Sequence, residues 1–356
     1  MIRAAVAYVL LASSFAIAAD TQKELQAYFQ KSCDSKKFMG AVEVALNGKI
    51  VYSDACGWAD AEWNVKNAVD TRFRTGSIAK QFTAAAVLLL HEQGRVSITD
   101  PIGKYLPELP ESWCSATIHQ LLTHTSGIPT YTEGPIFERM SRTGATPKEM
   151  VDSVRDKPLT FPHGKQFRYN NTGYIVLGML IEKISGMSYD RFVQENIFDR
   201  VGMADSGFDE QHKIIPRRAR GYSLIKGALQ NADFLDTTSA WSAGGFYTTV
   251  GDLVVWSEAL AHQKLLNADS TQRMFAVYPE TVLQGMHYGY AVVLAERFGH
   301  ALQYHGGGIT GFQSVLQRYP QRGLVIAILS NVDPGDDSEV IAPWTLGDGL
   351  AKIWFH

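Results

Sequence analysis

The stretch from Ser77 to Gln93 reads as a helix that stops at Gly94, and its segment Ala84 to Leu90 carries no polar side chain. A helix that is apolar on every side offers no face to water and has to be buried. The rest of the chain must therefore be built around it, and 356 residues give one large domain or two intimate ones with ample core. Apolar residues make up 46% and charged residues 19% of the chain, which rules out disorder and a highly charged surface. A formal net charge of −3 leaves no basic excess to neutralise phosphates and argues against nucleic-acid binding.

Strand signals lie at the two ends of the chain. Gly40 to Leu46 and Lys49 to Tyr52 flank Asn47-Gly48, the strongest short signal for a hairpin. Near the C-terminus, Tyr290 to Leu294, Leu302 to Tyr304, Phe312 to Tyr319 and Gly323 to Leu329 read as strands, the last two joined by a turn at Pro320-Gln321-Arg322-Gly323. Helices are expected over residues 20–32, 147–155, 172–185, 189–197, 252–262 and about 338–354, with a loop-rich stretch over 100–145. The expected architecture is α+β: a mostly antiparallel sheet built from both chain ends, with an inserted, mostly helical domain. The first 18 residues, with Arg3, an uncharged apolar run and Ala16-Ile17-Ala18, read as a signal peptide. That run is too short to span a bilayer and no cysteine follows for a lipid anchor, so the chain is expected to be exported, periplasmic or secreted, with no stable membrane anchor. Cys33, Cys56 and Cys114 allow one disulfide and one spare thiol, in a pairing the sequence leaves open.

Ser77-Ile78-Ala79-Lys80 opens the buried helix. Its first turn has free N–H groups that stabilise developing negative charge, and a Lys three residues on shares the face of the Ser. Capping alone would favour Glu or Gln at that place. A lysine there suits proton transfer from the hydroxyl once burial lowers its pKa. Ser223-Leu224-Ile225-Lys226 has the same spacing but lies in a loop-like context. Tyr169-Asn170-Asn171 precedes the helix at 172–185. Tyr169 is a candidate for proton transfer if a cation such as Lys80 lowers its pKa; Asn171 is a candidate for orienting substrate and Lys80, with helix capping by Asn171 or Thr172 as the plain alternative. His305-Gly306-Gly307-Gly308 follows a strand. Gly306, Gly308 and Gly311 fit a dinucleotide fingerprint, but no helix follows, so the glycines point to close substrate approach or a simple turn. The spacing of the histidines does not suggest a metal site, and no cofactor motif is found.

The order S-x-x-K, Y-x-N, [K/H]-x-G resembles the serine beta-lactamase and penicillin-binding-protein superfamily, in particular its class C branch, which includes esterases and D-amino-acid peptidases. Phe73-Arg74-Thr75-Gly76, Leu121 to Gly127, Phe161-Pro162-His163-Gly164, Gly202-Met203 and Ala243-Gly244-Gly245 extend the likeness over about residues 38–332. The resemblance implies an α/β domain of residues 19–75 and 281–356, a helical domain of residues 76–280, and a site between them. It further implies Ser77 as the acylated nucleophile and Lys80 and Tyr169 as proton carriers. Asn171, His305, Gly307 and Gly308 would meet a small-molecule or peptide substrate, with the N–H groups of Ser77 and Gly308 as oxyanion hole. Two departures stand out: His305 and Gly306 replace the usual Lys and Thr, and Asn170 replaces a common Ser. A mostly neutral imidazole binds a carboxylate less well than a lysine, which favours an esterase or peptidase. A beta-lactamase or D-Ala-D-Ala carboxypeptidase is the alternative, and a penicillin-binding sensor that does not turn over is the alternative of another class.

Overall fold

The computed structural model describes residues 20–282, 285–335 and 339–356; the signal-peptide reading falls outside them. A first helix, α1, runs over residues 20–34. It leads into strands β1 (Gly40–Leu46) and β2 (Lys49–Cys56). The turn between them has positive φ at both Asn47 and Gly48, the geometry that matches the twist of a two-residue hairpin. The main helices of the middle are α2 (Ala79–Glu92), α3 (Asn171–Ser185) and α4 (Val250–Ala261). The tail contributes β3 (His287–Tyr288), β4 (Val293–Arg297), β5 (His300–Ile309), β6 (Phe312–Tyr319), β7 (Leu324–Ser330) and the closing helix α5 (Pro343–Phe355).

The expected sheet is present. Its order is β3-β4-β5-β6-β7-β1-β2, antiparallel throughout, so the two chain ends meet where β1 pairs with β7, Gly40 opposite Ser330 and Leu46 opposite Leu324. Both central strands are buried on both faces. Their alternating side chains separate two cores. Val42, Val44, Ile326 and Ile328 pack with Leu25 and Phe29 of α1 and Leu346 and Leu350 of α5. Ala41, Ala45, Val325, Ala327 and Leu329 face the larger core around α2. That helix buries every residue from Ala79 to Leu90, as its sequence requires.

Several boundaries differ from the sequence reading. The closing helix starts at Pro343 rather than near 338; proline suits the first helical position because its missing N–H has no partner there. Tyr290 to Val292 lie before β4, where Ala291 takes a positive φ. The His305-Gly306-Gly307-Gly308 run is not a turn: it lies within the ten-residue strand β5. The loop-rich stretch holds short helices, among them Ile118–Leu122, closed by a Thr117–Gln120 capping box, and Pro135–Thr143. Cys33 is bonded to Cys56, tying α1 to β2, and Cys114 is free. Among the described residues no helix is long and apolar enough to cross a membrane.

Candidate active site

Ser77 does not sit on α2 itself. It occupies a 3-10 turn, Gly76–Ile78, that runs into the helix, and Gly76 takes a positive φ that a side chain would oppose. The turn is wedged against β5: a Cβ on Gly307 would come within 2.1 Å of the Thr75 carbonyl oxygen and 2.9 Å of the Ser77 nitrogen. Bare backbone at Gly307 thus lets the strand approach the serine. Lys80, one turn on, is wholly buried. Its Nζ lies 3.1 Å from Ser77 Oγ and donates to the Ala243 carbonyl at 2.7 Å. Burial holds the Lys80 pKa well below that of an ordinary lysine, so the amine is suited to being neutral and accepting a proton. The second S-x-x-K has no such geometry: Ser223 lies on a short strand, Tyr222–Ile225, and Lys226 follows it in a turn at positive φ.

The ring of Tyr169 lies over the lysine, with Nζ 4.8 Å from its centroid. Its phenol is pushed up by burial, opposed in part by a hydrogen bond with Ser77. The sequence-based expectation of a lowered phenol is therefore not met, and the reason is physical. Desolvation of the phenol outweighs the hydrogen bond with Ser77, and so keeps Tyr169 protonated. Asn170, not Asn171 or Thr172, caps α3: its Oδ1 accepts from Gly173 N–H at 2.7 Å and its Nδ2 donates to the Ile128 carbonyl. Asn171 is directed to Thr132, whose Oγ1 accepts from its Nδ2 at 3.2 Å. Lys80 is oriented by Ala243, not by Asn171.

His305 lies behind the site. It is buried, and its ring nitrogens are both engaged within the protein. The proton pattern follows from which partners can only donate or only accept. Asn170 N–H donates to His124 Nδ1 at 3.1 Å, so the His124 proton is on Nε2, facing Tyr288 Oη at 3.2 Å. Gly306 O accepts from His305 Nδ1 at 2.6 Å, leaving His305 Nε2 to accept from Tyr288 O–H at 2.8 Å. Burial pushes the His305 pKa down to about 3 and the His124 pKa well below its ordinary value. The ring centroids of His124 and Tyr169 are 4.3 Å apart, so this neutral chain backs the phenol.

A cavity of about 220 Å³ opens at Ser77, walled by Tyr131, Thr132, Asn171, Ala243, Leu235 and Gly308 among others. His305 and Gly307 are not in its wall, so the structure brings Ser77, Asn171 and Gly308 to the cavity and puts His305 and Gly307 in support. The sequence reading missed His124, Tyr288 and Tyr131 as parts of this assembly. His124 and Tyr288 belong to elements 164 positions apart, and short-range spacing carries no signal for them. The Ala243 carbonyl is backbone, which no residue identity reveals.

The beta-lactamase family model matches residues 25–350. A penicillin-binding protein from Bacillus subtilis (strain 168) is 27% identical over 335 residues, covering 89% of this chain and 73% of its own. A solved penicillin-binding protein from Bacillus halodurans superposes with a TM-score of 0.80 at 26% identity, over 93% of this chain and 98% of that one. A D-stereospecific amidohydrolase from Streptomyces sp. gives 0.75 at 28% identity, over 90% and 96%. The chain belongs to the beta-lactamase family, with its fold, and is a serine hydrolase of amide or ester bonds.

Proposed function

We propose that the chain works through an acyl-enzyme on Ser77 and prefers uncharged esters or amides to beta-lactams. Ser77 Oγ attacks the substrate carbonyl while its proton passes to neutral Lys80 Nζ, 3.1 Å away. The N–H groups of Ser77 and Gly308 receive the developing oxyanion. Collapse of the tetrahedral intermediate breaks the bond to the leaving group, which takes the proton back from Lys80 through the protonated phenol of Tyr169. Water then releases the acyl group by the reverse relay.

The observation that carries the preference is the state of His305. An imidazole held neutral, with its pKa near 3, gives a substrate carboxylate no charge to bind where relatives of the superfamily commonly place a lysine. Short p-nitrophenyl esters should therefore be cleaved with higher kcat/KM than a chromogenic cephalosporin, and turnover should continue past the first equivalent. A faster cephalosporin reaction would favour a beta-lactamase, and a single stoichiometric burst would favour a sensor. Labelling by an active-site serine reagent should vanish in Ser77→Ala and persist in Ser223→Ala.

We further place the protein outside the cytoplasm. The apolar, Arg3-led N-terminus and the Cys33–Cys56 bond support this reading, because disulfides persist in oxidising compartments. Fractionation followed by N-terminal mass determination tests it: cleavage near Ala19 is expected, and a retained Met1 in the exported fraction would contradict it.

A further inference from the structure

We infer that a small cavity between the sheet and the helices, separate from the one at Ser77, binds a single monovalent anion of the chloride class. It shares no lining residue with the cavity at the serine. Its volume is about 20 Å³, against the roughly 10–15 Å³ that one water needs. It therefore has room for one small particle and none for an organic ligand. Three layers meet there. Gln81 comes from α2, Ser257 from α4, and Gln303 and Arg318 from β5 and β6, where they stand opposite each other.

The polar groups around this cavity are those an anion needs. Arg318 keeps its charge at any working pH, yet among the described residues no carboxylate forms an ion pair with it. Glu258 acts on it from a distance and is itself paired with His262 at 3.1 Å. The side-chain acceptor that Arg318 does reach is neutral: its Nη1 donates to Gln303 Oε1 at 2.9 Å. Burial pushes the Arg318 pKa down, opposed in part by Glu258, as desolvation does to a guanidinium short of negative charge. Gln81 is buried, and its Oε1 accepts from Trp256 Nε1–H at 2.7 Å, so the groups left to it are its Nε2–H donors. The Ser257 hydroxyl is buried with no partner among the described residues. Leu260, Val292 and Leu316 make the rest of the wall apolar. A charge taken from water costs much unless it is paired, and a water in the cavity would leave Arg318 uncompensated. A cation would be repelled by it, and a tetrahedral oxyanion exceeds the space. A halide meets the charge, the free donors and the size together. Bound there, it would tie α2 and α4 to the hairpin of β5 and β6.

The test is urea unfolding of the full chain at fixed pH and ionic strength, in sodium chloride against sodium gluconate, whose anion is too large to enter. The wild-type midpoint should rise saturably with chloride, because an ion that binds only the folded state stabilises it by mass action. Ser257→Ala removes only a hydroxyl without a partner. It should weaken chloride about threefold to tenfold, the scale of one hydrogen bond. Arg318→Gln should abolish the saturable response. Crystals of the wild-type protein grown in sodium bromide give a reading that depends on neither variant: the anomalous map should show one bromide between Arg318, Gln81 and Ser257. Water alone in that cavity, a wild-type midpoint that responds equally to both salts, or a chloride response that either variant leaves unchanged would overturn the site. If Arg318→Gln does not fold, Ser257→Ala and the bromide map decide.

Discussion

A lysine in the first turn of a helix faces the positive end of the helix dipole, and at Lys80 this adds to complete burial in favouring the neutral amine. Lys80→Ala should slow acylation of Ser77 by about 10²–10⁴-fold, the range for general acid–base catalysis, measured as the rate of labelling by a serine-directed reagent. Lys80→Arg should rescue none of it, because a guanidinium keeps its proton. The buried imidazoles make a separate prediction. His305 titrates near 3 in the folded chain and near 6.5 when unfolded. Between those values the unfolded state binds the extra proton, so stability falls as pH drops through that window. Each such group contributes a slope of about 1.4 kcal/mol per pH unit there. Urea unfolding followed from pH 7 to pH 4 should show this loss, and His305→Gln should reduce it to the share contributed by His124. An unchanged slope would mean that His305 is not held neutral.

At the scale of elements, the approach of β5 to the 3-10 turn of Ser77 depends on one missing side chain. Gly307→Ala would drive a Cβ to 2.1 Å from the Thr75 oxygen, whereas at Gly306 the nearest atom is 3.5 Å away and at Gly308 nothing lies within 4 Å. Gly307→Ala should therefore cut kcat by at least about tenfold, since a misplacement of about 1 Å can cost far more. Gly306→Ala should leave kcat near wild type. Equal losses in both variants, in single-turnover assays, would show that the strand does not position the serine. The contrast also explains what the sequence could reveal. The strand ends, the buried helix and the Ser77–Lys80 pair were legible because period and spacing are local. That His305 faces Tyr288 and not the substrate was not legible, because strand register and the long-range meeting of β3, β5 and residue 124 decide it. Likewise Asn170 reads as a departure in the sequence and proves to be the helix cap.

For the molecule as a whole, the sheet keeps two jobs apart. Its helical-core face positions Ser77, Lys80 and the chain behind Tyr169, while its other face is closed by α1 and α5. The Cys33–Cys56 bond belongs to the second job: it ties α1 to β2, the edge strand four places from β5 in the sheet. At the usual spacing of strands that is roughly 19 Å from β5, the strand beside the serine's turn. The bond joins residues 23 apart, and closing a loop of that size removes enough freedom from the unfolded chain to stabilise by about 3 kcal/mol. Replacing both cysteines by alanine should lower the urea midpoint accordingly, as read by circular dichroism. It should leave kcat/KM on a short ester within about twofold, because the contacts that hold Ser77, Lys80 and Asn171 run to Ala243 and Thr132 and not to either cysteine. A loss of activity at a temperature where the variant is still folded would show that the two faces of the sheet are coupled. An unchanged midpoint would show that the buried face of α1 alone holds the helix in place.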